Sequence, residues 1–474
     1  MIGRKKEIEE LEELYKNDKA EFVAIYGRRR VGKTFLVDEV FKDRITFRHA
    51  GLSLTEIEAG SKSPLKAQLN AFYYSLLLAG MKKSKCPKDW LEALFMLESY
   101  LQSIDNGNRM LIFLDELPWM DTSKSGFITA FEGFWNSWAC HRNIMLIVCG
   151  SANSWIMNEL INNHGGLYGR VTHEIKLEPF TLKECEECLN GRHINYSRYD
   201  ITQTYMIFGG IPYYLNYLDR NLSLAQNIDM LFFGKNALLR IEFDRLFASV
   251  FKNAEMAKKI VELLSTKGIG YTRKEISEKL KISNSGEFGK LLNSLIVSDF
   301  IINYVSFKEG KSSERYKLID PFCLFYLRFV KNNELLNESF WSSNVNSQSI
   351  ITWRGFAFEN VCFNHIKQIK KALGISGVTT KQSAWVARDE GTQIDLIIER
   401  KDNIINMCEI KFYSDKFAVD KSYDMLLRER VLILGKYIPK KCSIQNTLIT
   451  TYGIKSNEYK WSFNSVITMD DLFE

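Results

Sequence analysis

The sequence predicts a multidomain α/β protein with a doubly wound parallel sheet at its front, and three observations carry that prediction. A glycine-rich loop lies between a short apolar strand pattern and a helix pattern. Two later apolar runs end, like the first, in clustered polar residues. Strand-like and helix-like stretches alternate between them. Alternation of that kind sets strands parallel, with any ligand held outside their C-terminal ends. At 474 residues the chain has room for about three or four domains. Its 46% hydrophobic and 25% charged residues are ordinary for a globular protein, and seven prolines argue against long disordered linkers.

In chain order, residues 21–26 (EFVAIY) read as a buried strand, 27–34 (GRRRVGKT) as the loop and 35–40 (FLVDEV) as the opening of a helix. Gly27, Gly32, Lys33 and Thr34 match G-x-x-x-x-G-K-[ST] at every fixed position. Glycines there let backbone N–H groups turn inward around phosphate oxygens at a helix N-terminus. Lys33 reaches the β- and γ-phosphates, and the Thr34 hydroxyl is placed to hold Mg²⁺. Arg28, Arg29, Arg30 and Val31 fill the variable positions. The three arginines are expected to be solvated unless they contact phosphate or an acidic partner. The pattern implies that the chain binds a nucleoside triphosphate.

Residues 110–116 (MLIFLDE) supply a second strand ending in two acids. Asp115 is expected in the Mg²⁺ shell and Glu116 at the attacking water. Residues 143–150 (NIMLIVCG) form a third strand, followed by Ser151, Ala152 and Asn153. Ser151 either reports on the γ-phosphate or is a simple loop serine. Residues 183–250, helical in pattern, are expected to be a lid. Cys185 and Cys188 have C-x₂-C spacing, yet no second pair follows at a zinc-ribbon distance, and 182–189 (LKECEECL) reads as a helix. The nine scattered cysteines read as reduced thiols of a cytoplasmic protein, with neither a signal peptide nor a membrane-spanning run. A net charge of +6 permits nucleic-acid contact through local patches without demanding it.

On these residues the first half resembles the archaeal-type P-loop ATPases, a STAND/AAA+-like family. The resemblance rests on Ile2, Gly3 and Arg4, the phosphate loop, 114–116, Gly150 and Ser151, 167–170 (LYGR), 177–180 (LEPF) and 209–215 (GGIPYYL). It implies ATP hydrolysis with Mg²⁺. It also implies that Arg170 senses or stabilises γ-phosphate charge, and that Pro212 closes around adenine with Ile2, Gly3 and Arg4. Read without the resemblance, Arg170 serves equally as a surface salt-bridge residue.

Residues 254–264, 272–280 and 286–296 read as three helices, the second capped by Thr272. Two strand-like pieces, 300–307 and 315–318, follow with 308–313 (KEGKSS) between them. Three helices and a hairpin predict a winged helix-turn-helix over 251–325. Its third helix carries Glu287 and only Lys290 as a cation, so base reading is weak. DNA contact and protein contact both stay open. Residues 319–329, rich in aromatics, read as a packed connector.

In the tail, 353–369 reads as a helix bearing Glu359, 392–398 as a strand bearing Asp395, and 404–412 as a strand with Glu409 and Lys411 alternating onto one face. Carboxylates in apolar strands are costly unless something binds them. Asp395 and Glu409 would hold a divalent cation, and Lys411 would orient water. The pattern resembles the PD-(D/E)xK nuclease superfamily, with Glu359 as the helical acid, Asp395 as the aspartate, and Glu409, Ile410 and Lys411 as the E-x-K. The expected domains are an ATPase core (1–182), a helical lid (183–250), a winged helix-turn-helix (251–325) and a nuclease-like domain (326–474). The function expected is an ATP-hydrolysing protein coupled to a metal-dependent nuclease acting on DNA. The alternative is a regulatory ATPase whose winged helix and degenerate nuclease-like domain only bind DNA or protein partners, as a homo-oligomer or otherwise.

Overall fold

The phosphate-loop sheet forms around three central strands that are almost wholly buried, as parallel strands covered by helices must be, with more polar strands at its edges. β1 (Glu21–Tyr26), β2 (Ile45–Ala50), β3 (Met110–Asp115), β4 (Ile144–Gly150) and β5 (His173–Lys176) pair in the order β2-β3-β4-β1-β5, all parallel. β3 and β4 are buried along their whole length. This computed structural model describes residues 3–53, 63–162, 165–307, 313–333, 337–387 and 390–474; Ile2 of the expected adenine contact and 308–312 of the expected hairpin lie outside them.

The chain divides into two compact units. The first comprises 1–179, 245–254 and 293–298, and contains the parallel sheet. Its core is an aromatic cluster: Phe22 lies 4.9 Å from Trp135 and 5.8 Å from Phe131, while Trp90 bridges Phe72 and Phe127. The second comprises 180–244, 255–292 and 299–474. These divisions cut across the four expected domains, since contacts rather than contiguity define them.

Helices Ala254–Ser265, Arg273–Leu280 and Gly286–Val297 occupy the expected places in the middle segment. Thr272 caps the second in a capping box with Glu275, each side chain meeting the other's backbone N–H. β6 (Tyr271–Thr272), β7 (Ile301–Val305) and β8 (Glu314–Leu318) make an antiparallel sheet in the order β6-β8-β7. Further on, β9 (Thr380–Ala387), β10 (Thr392–Arg400), β11 (Ile404–Lys411), β12 (Ser443–Thr450) and β13 (Ser465–Thr468) form a mixed sheet in the order β13-β12-β11-β10-β9. β10 is antiparallel to both neighbours, while β11, β12 and β13 run parallel.

Two local expectations are refined. Cys185 and Cys188 do lie on one helix, Leu182–Gly191, both buried, and none of the nine cysteines is in a disulfide. The helix expected over 353–369 is instead two, Gln348–Asn364 and Ile366–Ala372, broken at His365. The imidazole explains the break. Its Nδ1 faces the Val361 carbonyl at 2.8 Å, while Nε2 accepts the Leu182 N–H at 3.0 Å and so caps another helix's first turn. Among the described residues no helix is long and apolar enough to cross a membrane.

That geometry fixes the neutral tautomer of His365, and burial pushes its pKa down to about 4. His49, buried in the first unit with Nδ1 2.9 Å from Ser75 Oγ, is likewise pushed down to about 4 by burial. A folded pKa below the unfolded 6.5 means the unfolded chain binds the extra proton between those values. The stabilisation is therefore complete above pH 6.5 and is lost as pH falls toward 4, by roughly 3 kcal/mol per histidine. Urea unfolding at pH 7 and pH 4.5 measures this. His365→Gln, which keeps both hydrogen bonds but cannot titrate, is expected to reduce the pH dependence; an unchanged slope would refute the assignment.

Candidate functional site

The order β3-β4-β1 brings the C-terminal ends of three strands together, and the polar residues after each converge there. Gly27 sits at φ +144°, and a Cβ on it would lie 2.3 Å from the Leu177 carbonyl oxygen, so only glycine fits. Gly32, at φ +94°, then turns the chain into the helix Lys33–Phe41. Lys33 Nζ donates to the carbonyls of Gly27 (3.0 Å) and Arg28 (3.1 Å) and to Ser151 Oγ (3.3 Å). Ser151 Oγ in turn donates to Glu116 Oε1 at 2.7 Å, and its N–H to Glu116 Oε2 at 3.0 Å. Ser151 thus links the loop lysine to the acid expected at the attacking water, a place a generic loop serine would not take.

Thr34 Oγ1 donates to Asp115 Oδ2 at 2.7 Å. A hydroxyl and a carboxylate are hard oxygen donors, and Mg²⁺ is commonly held by one or two such groups, its own waters and substrate phosphates. The set therefore fits that ion. Burial pushes the Asp115 carboxyl up, against its bond to Thr34, and pushes the Lys33 ammonium down, against Glu116. Opposite charges held in a water-poor pocket suit a ligand that brings both phosphate and a cation.

The remaining loop positions part company with expectation. Arg28 is buried at 2% exposure rather than solvated. Arg29 is half-buried with its guanidinium 5.8 Å from the Trp119 ring centroid. Arg30 is half-buried at φ +73°, and Val31 is buried. Gly3 lies in a bend at φ +62°, and Arg4 is buried, donating to the carbonyls of Glu178 (2.6 Å) and Val31 (3.3 Å). Arg4 therefore staples the N-terminal segment to the loop. Arg170 is exposed on the turn after Gly169. Pro212 opens the short helix Pro212–Leu215 in the second unit.

One residue of this front site was missed. Asn153, fully buried, accepts the Gly27 N–H at 2.9 Å through Oδ1 and donates to the Val297 carbonyl at 3.1 Å. It fixes the first peptide of the loop. Its only sequence signal was its place just beyond β4, the strand beside β1.

The second cluster lies on the mixed sheet. The register that pairs Leu396 with Cys408 sets Asp395 opposite Glu409 one position further along. Lys411 Nζ is 2.6 Å from Glu409 Oε1, and Arg430, from the helix Lys421–Gly435, is 2.5 Å from Oε2. Burial, with Asp395 beside it, pushes Glu359 up to about 7. Burial likewise raises Asp395, with Glu409 adding to it. Burial works against the Lys411 charge, but Glu409 outweighs it and holds the pKa up. Lys317 of β8, also missed, is buried and lowered by burial, with Glu359 and Asp395 opposing. All four expected residues thus share one electrostatic neighbourhood.

Among the described residues no three His, Cys, Asp or Glu side chains are gathered as a metal-holding group. Asp395 and Glu359 offer hard oxygens suited to Mg²⁺, whereas Glu409 has both oxygens engaged by cations and can contribute only by releasing one.

Residues 1–218 match a family described as an ATPase domain predominantly from Archaea. Over 445 residues the chain is 24% identical to an uncharacterised protein of Methanocaldococcus jannaschii, covering 91% of this chain and 92% of that one. A 43-residue stretch is 42% identical to an uncharacterised ATP-binding protein of the same organism, covering 9% of this chain and 73% of that protein. Among solved structures, the Walker-type ATPase of Pyrococcus abyssi is similar at a TM-score of 0.45 and 18% identity, covering 69% of this chain and 96% of that chain.

Proposed function

With residues 1–218 an ATPase domain of the predominantly archaeal family, we propose that ATP binding and hydrolysis there govern a metal-dependent phosphodiesterase site on the mixed sheet, acting on DNA. In the front site Lys33 offsets phosphate charge and Glu116, oriented by Ser151, aligns water. Thr34 and Asp115 would hold Mg²⁺, which supplies charge neutralisation when bound. Arg170, being exposed, can offer its guanidinium to a γ-phosphate, and Gly3 and Arg4 would border the adenine.

The observation that carries the nuclease part is the convergence of Glu359, Asp395, Glu409 and Lys411, from one helix and two adjacent strands, with burial and the neighbouring charges raising Glu359 and Asp395 and the carboxylates holding Lys411 up. Perturbed acids beside a lysine are what phosphodiester chemistry needs. Asp395 and Glu409 would hold the divalent ion, and Lys411 would stabilise charge at phosphorus. The middle helices and three-stranded sheet, read as a winged helix-turn-helix, would hold DNA through its backbone more than its bases.

A second reading is favoured by one specific contact. Glu409 is neutralised by Lys411 and Arg430, as in a purely structural ion-pair network. On that reading the tail only binds partners. Magnesium-dependent nicking of supercoiled plasmid separates the two: Asp395→Asn is expected to lose at least about 100-fold in rate. Wild type and Asp395→Asn behaving alike with Mg²⁺ and Mn²⁺ would defeat the nuclease reading.

A further inference from the structure

A cavity of about 300 Å³ in the second unit adjoins the acid cluster, sharing Lys317 and Glu359 with it. Its walls come from the end of the Ala254–Ser265 helix and the loop after it, from β8, and from the Gln348–Asn364 helix. Three cations, Lys267, Lys317 and Arg328, line it with one carboxylate, Glu359; Lys267 is paired with Glu275 at 3.6 Å, which leaves Lys317 and Arg328 facing Glu359.

Lys317 is 5% exposed, and among the described residues no carboxylate lies within ion-pair distance of it; its Nζ sits 4.6 Å from the Phe363 ring centroid. Glu359 and Asp395 act on it only from beyond contact, and a buried ammonium with no anion at contact distance is costly unless one joins it. Arg328 is exposed and donates only weakly, to Ser349 Oγ at 3.5 Å. Asn360, 6% exposed, lines the same cavity with Oδ1 unpartnered. Half a rotation of that amide presents Nδ2 as a donor instead. Ser349 and Thr352 add hydroxyls. Excess positive charge, unspent donors and a volume large enough for a nucleotide fragment share one place.

We propose that this cavity is a phosphate-binding subsite beside the acid cluster, with Lys317 and Arg328 as its anion ligands and Asn360, Ser349 and Thr352 as neutral donors. The inference deepens the phosphodiesterase reading and rests on it for the source of the phosphate, a nucleic-acid backbone next to the one attacked. A free nucleotide carries the same group.

Fluorescence anisotropy of a labelled DNA oligonucleotide with the full chain in EDTA tests it, since binding is then read without cleavage. Lys317→Met and Arg328→Gln are each expected to weaken binding roughly tenfold and to lessen the log–log salt slope by about 0.9 on duplex, one phosphate contact apiece. Arg328 is exposed, so its variant carries the test even if Lys317→Met fails to fold. Titrations with oligonucleotide and with ATP, both in a Lys33→Ala background, tell backbone from free nucleotide: dependence on Lys317 or Arg328 in either supports the subsite. Wild-type affinity and salt slope in both variants, with either ligand, would overturn it. Asp395→Asn that binds normally but does not cut, or a wild type that binds without cutting, bears on the nuclease reading alone.

Discussion

Lys33→Ala is expected to lower ATP affinity by roughly 100-fold and to abolish measurable turnover, because it removes a charge-assisted contact that this site makes in a buried setting. The ammonium is held by two loop carbonyls and Ser151, so it is already aimed across the loop's mouth. Alanine would leave those acceptors and the Ser151–Glu116 pair without their cation. Glu116→Gln should behave differently. It keeps the shape and the Ser151 hydrogen bond, so ATP should still bind while turnover falls by about 10²–10⁴-fold, the usual worth of a positioned general base. Thermal unfolding with and without ATP separates the two, since saturating ligand at 100 Kd adds about 2.7 kcal/mol of stability. Wild type and Glu116→Gln should show the upward shift, and Lys33→Ala should not. A saturable shift in Lys33→Ala, equal to wild type, would mean that nucleotide binds elsewhere.

The front site was legible because its parts are contiguous in sequence. A glycine pattern fixes Lys33 and Thr34 by covalent spacing, and strand ends announce Asp115, Glu116 and Ser151. Asn153 was missed because its partner, the Gly27 peptide, lies on another strand, and only the pairing of β1 with β4 brings them together. The burial of Arg28 was illegible for a related reason. Three consecutive arginines look alike in a sequence, and only the folded chain distinguishes the buried Arg28 from the half-buried Arg29 and Arg30. In the tail, Glu359, Asp395, Glu409 and Lys411 followed from acids set in apolar elements. Arg430 and Lys317 did not, since each looks like an ordinary cation until its neighbours are known. The division of the chain was the least legible feature. Residues 245–254 and 293–298 group with the first unit through contacts that no linker composition announces.

The second large effect concerns Glu409, and it weighs the two readings of the tail against each other. Glu409→Ala is expected to destabilise the fold by about 3 kcal/mol, because it leaves two largely buried cations, Lys411 and Arg430, facing each other without their anion. Removing one of those cations as well should return part of that loss, so Glu409→Ala/Arg430→Gln should be more stable than Glu409→Ala alone. That much is expected whether the carboxylate is structural or catalytic. Metal uptake is where the readings diverge. If Glu409 serves as a ligand, Arg430 competes with the ion for Oε2, and Arg430→Gln alone should tighten Mg²⁺ or Mn²⁺ binding. If the network is purely structural, Arg430→Gln should destabilise without conferring any uptake. Calorimetric titration of wild type, Arg430→Gln and Asp395→Asn reads the difference directly. Tighter binding in Arg430→Gln that Asp395→Asn abolishes requires both strands' acids to face one ion. No uptake in any of the three would leave the cluster as a set of ion pairs that hold β10, β11 and the Lys421–Gly435 helix together.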